Sequence, residues 1–177
     1  MSRSSYRSGR LFFGALFALA FFSVGNAAAA DEGACSQFKW SIAQERTWAG
    51  QAPAAAVKTG DRLPAPPAGA IAVTLGPSAG VAFTVTPGRK AKGVDNGASI
   101  AIDRLPKAGR YQVTLSAEAW IDVVQDGAAV PSLDFSGVRD CPGVRKSVRF
   151  DLKQGPLLLQ LSGSAETRLL LALRPAD

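Results

Sequence analysis

The side chains that could do chemistry gather in one stretch of the chain. Glu118, Asp122, Asp126, Asp134 and Asp140 follow one another at short intervals. Two carboxylates held about 5–10 Å apart act across a sugar bond, and carboxylate oxygens also suit Ca²⁺. EF-hand spacing is absent, so loop acids are the plainer reading. The basic cluster "GVRDCPGVRKSVRF" (Gly137 to Phe150) sets Arg139, Arg145, Lys146 and Arg149 around Cys141. Such a cluster either reads an anionic polymer such as lipopolysaccharide or guards a strand edge with charge. Trp40, Trp48 and Trp120 either stack on sugar rings or fill the core. The candidate ligand-binding residues are Trp120, Asp122, Arg139, Arg145 and Lys146. No catalytic residue, metal ligand or cofactor is assigned.

The chain contains no His. This removes Ser-His-Asp and Cys-His catalysis, His zinc sites and the two-His-one-carboxylate iron site. Two Cys cannot build a four-thiolate metal site, and no Gly-rich phosphate loop of the usual spacing occurs. "GVDNG" (Gly93 to Gly97) reads as a turn. A carboxylate or metal-dependent enzyme is the alternative to a non-enzymatic binding module.

The N-terminus reads as an export signal. Arg3, Arg7 and Arg10 precede the apolar run Leu11 to Gly25, and "NAAAA" supplies a small-residue cleavage site near Ala30. The run is shorter than the roughly 20 residues of a membrane-spanning helix. No Arg pair precedes it, which favours general secretion over the twin-arginine route. Residues 1–30 carry three Arg and no acid, so the net charge of +6 falls to +3 over 147 residues. Nucleic acid is therefore not an expected partner. The expected location is periplasmic or secreted, with no membrane span after cleavage. Export into an oxidising compartment makes a Cys35–Cys141 disulfide the expected state of the only two cysteines.

These groups need a scaffold. Residues 31–69 read as an irregular segment with one helical turn around Ala43 to Trp48, then an Ala/Pro-rich surface connection. From residue 70 onward the apolar period is two. Strand candidates are 70–75, 81–86, 98–103, 110–116, the stretch "AEAWIDVVQDG" (Ala117 to Gly127), 147–152, 156–162 and 167–174. Each would bury one face and wet the other. The expected fold is all-β: an antiparallel β-sandwich of jelly-roll type with about eight strands, forming one domain over 70–177 with 31–69 packed on it. Within the quoted stretch two readings stay open. Ala119, Ile121 and Val123 face the core and Trp120 and Asp122 face out, or the reverse. Trp120 is expected to be partly buried, and Asp126 to be a turn residue.

"CSQFKWSIAQERTW", "YQVTLSAEAWIDVVQDG", "FSGVRDCPGVRKSVRFDL" and "PLLLQLSGSAETRLLLAL" together resemble a group of small exported alphaproteobacterial proteins. Members of that group are sometimes labelled homogentisate 1,2-dioxygenase. The label implies an intracellular iron enzyme whose metal is held by His and Glu. This chain has no His and carries an export signal, so no site residue carries over. The strand rhythm also resembles carbohydrate-binding jelly rolls, a likeness of fold and not of function. The expected function is an exported, non-enzymatic binding or envelope-associated accessory module, its partner a glycan or an envelope protein.

Overall fold

The computed structural model describes residues 1, 33–89 and 93–176. Apart from Met1, the leader read at residues 1–30 lies outside the described residues, as do residues 90–92 of "PGRKAKGVDNG" (Pro87 to Gly97), which the sequence marks as a basic, Gly-containing loop.

The period of two builds the core. Tyr111, Val113 and Leu115 pack with Val148, Phe150 and Leu152, with Leu157, Leu159 and Leu161, and with Leu169, Leu171 and Leu173 in one buried cluster. The alternating residues of each strand face the same side, so two sheets close on this cluster face to face.

Among the described residues the strands are β1 (Ala55–Lys58), β2 (Arg62–Leu63), β3 (Ile71–Thr74), β4 (Gly76–Pro77), β5 (Asn96–Leu105) and β6 (Gly109–Leu115), then β7 (Trp120–Gln125), β8 (Ala128–Val130), β9 (Ser132–Gly137), β10 (Lys146–Leu152), β11 (Gly155–Ser164) and β12 (Arg168–Pro175), and the helix α1 (Ala43–Ala49) precedes them. The first sheet runs β1-β3-β12-β6-β10-β9. The second runs β2-β5-β11-β7-β8, with β4 also on β5. Four antiparallel pairs, β3–β12, β5–β11, β6–β10 and β7–β8, form the framework. They divide the chain into β3-β12-β6-β10 and β5-β11-β7-β8, the strand order of a jelly roll. The β7–β8 hairpin turns at Asp126 and Gly127, whose φ values of 53° and 76° are those of the two-residue turn that Asp-Gly favours.

Several expectations need correction. Among the described residues there are twelve strands, short edge strands included, where about eight were expected, and the edge pairs β1–β3 and β2–β5 are parallel. The Ala/Pro-rich connection therefore lends a strand to each sheet. Residues 81–86 are not a strand. One side-chain amide holds them: Gln160 Oε1 accepts from the Thr84 and Val85 backbone N–H groups, and its Nε2 donates to the Val85 carbonyl. The polar faces are not wet throughout. Gln160 and Ser162 are buried on the second sheet, and Gln112, Thr114 and Ser147 on the first.

The cover over the first sheet is the N-terminal segment. The sequence "AQERTWA" supplies good helix formers, and α1 turns Glu45 onto the sheet. The buried Glu45 Oε1 accepts from Arg174 Nε at 2.7 Å and from Gln112 Nε2 at 2.5 Å. Trp40 donates to Ser147 Oγ at 3.1 Å, and the Arg149 guanidinium lies 4.3 Å from its ring centroid. Cys35, Phe38, Ile42, Cys141 and Val144 form a second small core around the Cys35–Cys141 disulfide, which joins residues 106 positions apart.

Arg174→Ala would leave the Glu45 carboxylate buried beside no cation from β12. The expected cost is about 3–5 kcal/mol in denaturant unfolding. A cost within error of zero would show that Glu45 is held by other means.

Candidate functional site

The quoted stretch resolves into one of its two readings. Ala119, Ile121 and Val123 are buried in the core, while Trp120 and Asp122 lie half-buried on the other face of β7. Residues two apart share that face, and Trp120 Nε1 donates to Asp122 Oδ1 at 2.9 Å. Asp122 Oδ2 accepts from the Gly88 backbone N–H at 3.1 Å. The loop after residue 81 thus lies against Trp120, and a Cβ at Gly88 would come 2.7 Å from Trp120 Nε1. One Asp122 oxygen thus holds the Trp120 indole and the other holds the loop, and Asp122 lines neither of the cavities described next.

Two cavities adjoin at the edge where the sheets part. One, of about 540 Å³, is lined by Arg89, Val94, Glu118, Trp120, Arg139, Arg145 and Lys146 among others. The other, of about 280 Å³, shares Arg89, Glu118, Trp120, Arg145 and Lys146 and runs on to Ile121, Phe135 and Val148. Four of the five sequence candidates, Trp120, Arg139, Arg145 and Lys146, therefore meet at one cleft.

The elements that bring them together are distinct. Trp120 opens β7 in the second sheet, and Lys146 opens β10 in the first. Arg139 and Arg145 sit in the connection between β9 and β10, which the Cys35–Cys141 disulfide ties to the N-terminal segment. Arg89 comes from the loop pinned by Gln160 and Asp122.

Charge is concentrated here. Arg145 pairs with Glu118. Lys146 Nζ lies 5.1 Å from the Trp120 ring centroid and donates to the Ala119 carbonyl at 3.1 Å. Among the described residues Arg89 and Arg139 form no ion pair, and both are exposed. Partial burial pulls the Lys146 ammonium below its ordinary 10.5. Glu118 and Asp122 oppose the shift, and Arg89 and Arg145 add to it. Four cations and one carboxylate line the larger cavity, so a bound anion would meet a positive field in partly desolvated surroundings.

Other candidates disperse. Trp40 and Arg149 stack on the outer face of the first sheet, and Trp48 lies in α1. Asp134 pairs with Lys39 at 2.7 Å and Asp126 with Lys153 at 2.6 Å. Among the described residues no three His, Cys, Asp or Glu side chains gather as a metal site requires. Sequence reasoning missed Arg89 and Phe135, and read Glu118 only as one of a run of acids. Arg89 stood in a loop already read as basic, and the alternation of Leu133 and Phe135 was a strand signal left unread.

Comparison with family models, curated proteins and solved structures returned no match.

A lysine whose ammonium is disfavoured in the fold binds fewer protons there than in the unfolded chain. Its cost is present in full at neutral pH and fades as pH rises through the lowered value toward 10.5, so stability rises across that window. Lys146→Met should remove this rise from a series of denaturant midpoints. Parallel profiles for the two proteins would contradict the burial of the charge.

Proposed function

We propose that this chain is an exported, non-enzymatic binding module of the cell envelope, whose ligand is an acidic glycan taken at the cleft of Trp120, Arg139, Arg145 and Lys146. The observation that carries this reading is the convergence of Arg89, Arg139, Arg145 and Lys146 beside one Trp in a concave surface of about 540 Å³. Pockets of this size, with an apolar wall and a few convergent polar groups, suit a small ligand segment. Guanidinium groups present paired donors that match carboxylate and phosphate oxygens. A glycan offers both such anions and apolar ring faces for the Trp120 wall.

Export is supported by the disulfide, since such bonds persist in oxidising compartments. Among the described residues no helix is long and apolar enough to cross a membrane. The β-sandwich carries the cleft on a rigid frame, with Arg89 and Arg139 as exposed cations at its rim.

Calorimetric titration with oligogalacturonate, against neutral dextran as control, tests the reading. Saturable binding is expected for the acidic glycan alone, weakening as salt screens the field. A charge-assisted hydrogen bond contributes about 1.5–3 kcal/mol, so Arg89→Glu and Arg139→Glu should each lower affinity about tenfold or more. Glu118→Gln should strengthen it. Equal binding of dextran, or no change in the charge-reversed variants, would overturn the proposal.

A further inference from the structure

The smaller cavity opens where the sandwich fails to close. Phe135 of β9 stands directly across from Val148 of β10. Cross-strand partners share a face, and Val148 belongs to the buried core. Phe135 is therefore on the core side of its sheet, yet it is 62% exposed. Ser132 is set across from core Phe150 in the same way, with a bulge between the two positions. Facing them on the second sheet, β8 has only three residues. The gap this leaves is the cavity of about 280 Å³, with Ile121, Val148, Phe135 and Trp120 in its walls. Its other lining residues include Arg89, Arg145 and Lys146, which it shares with the larger cavity.

An apolar slot that continues into a cationic cleft is complementary to an amphiphile. We infer that the ligand carries an acyl chain next to its anionic group, the chain seated between Phe135 and the exposed end of the core and the anion held by Arg89, Arg145 and Lys146. The occupant is thus the acylated end of an acidic envelope glycolipid. This inference rests on the glycan reading of the same cleft and adds the chain to it. Charge complementarity fixes the orientation: the three cations lie where the two cavities meet, so the head group sits at that junction and the chain points along Phe135. Lys39 reinforces the position of Phe135, with Nζ 5.5 Å from its ring centroid while pairing with Asp134 on the same strand.

The test uses the mature, oxidised protein with decyl phosphate and butyl phosphate, both below their micelle concentrations, and with oligogalacturonate. A fully buried methylene raises affinity about fourfold. Six extra methylenes in a partly open slot should make decyl phosphate bind about tenfold tighter than butyl phosphate, or more. Phe135→Ser removes an exposed ring, so the fold should stand. It is expected to abolish most of that ratio while leaving oligogalacturonate binding unchanged. Equal affinity for the two phosphates, or a ratio undiminished by Phe135→Ser, overturns the acyl inference. If oligogalacturonate still binds in that case, the glycan reading survives; if no ligand binds, both fail.

Discussion

Two contacts hold the sheets together across the edge where they part. Lys146 of β10 reaches over the Trp120 ring of β7 and donates to the Ala119 carbonyl, and Arg145 pairs with Glu118 beside it. Neither contact belongs to the hydrogen-bond ladder of a sheet. Both place a cation at the start of β10 against a ring or acceptor at the start of β7. The cleft is the consequence: the core ends at Ile121 and Val148, the charged pairs bridge the opening, and the space beside them stays accessible. A partly buried ammonium is costly, and here the Ala119 carbonyl and the Trp120 ring offset that cost.

Two buried amide side chains fix the segments that cover the two sheets, and one of them leads to that edge. Gln160 substitutes for a neighbouring strand and holds residues 84 and 85, which carry the chain onward to Gly88 and Arg89. Gln112 holds Glu45 of α1 on the opposite side of the molecule. Each is fully buried, and each would be costly if its partner were lost. The disulfide performs the corresponding task for Arg139 and Arg145, because the connection that bears them is tied through Cys141 to the N-terminal segment. Covalent closure of so long a loop restricts the unfolded chain, an effect of about 4–5 kcal/mol in the chain-entropy account.

The jelly roll was legible because its long strands alternate cleanly. Tyr111-Val113-Leu115 and Leu169-Leu171-Leu173 state both the strand and its buried face. The short edge strands were not legible. Ala55–Lys58 and Arg62–Leu63 are too brief for a period to show, and Pro residues around them argue for loop. The segment 81–86 carries the alternation Val81, Phe83, Val85 and still forms no strand, since a side-chain amide satisfied its backbone instead of a ladder. Burial of Gln112, Thr114 and Gln160 was hidden for a related reason: alternation marks which residues face away from the core, but says nothing about a second layer lying over them. For the cleft, residue type alone marked Trp120, Arg139, Arg145 and Lys146. Their meeting depends on the pairing of β10 with β6 and of β7 with β11, which are distant in sequence. Asp122 shares the face of Trp120 as its spacing requires, and its two oxygens serve the Trp120 indole and the loop.

The central claim is that Trp120 stands in the wall of an anion-binding cleft, and its indole N–H reports on it directly. The chain has three Trp residues, and their indole resonances can be assigned by single Trp→Phe substitutions. Titration with an acidic oligosaccharide, followed by ¹H–¹⁵N NMR, should shift the Trp120 indole resonance saturably and leave those of Trp40 and Trp48 in place. A Trp120 resonance unmoved at saturating ligand, or a shift confined to Trp40, would place binding elsewhere and contradict this account.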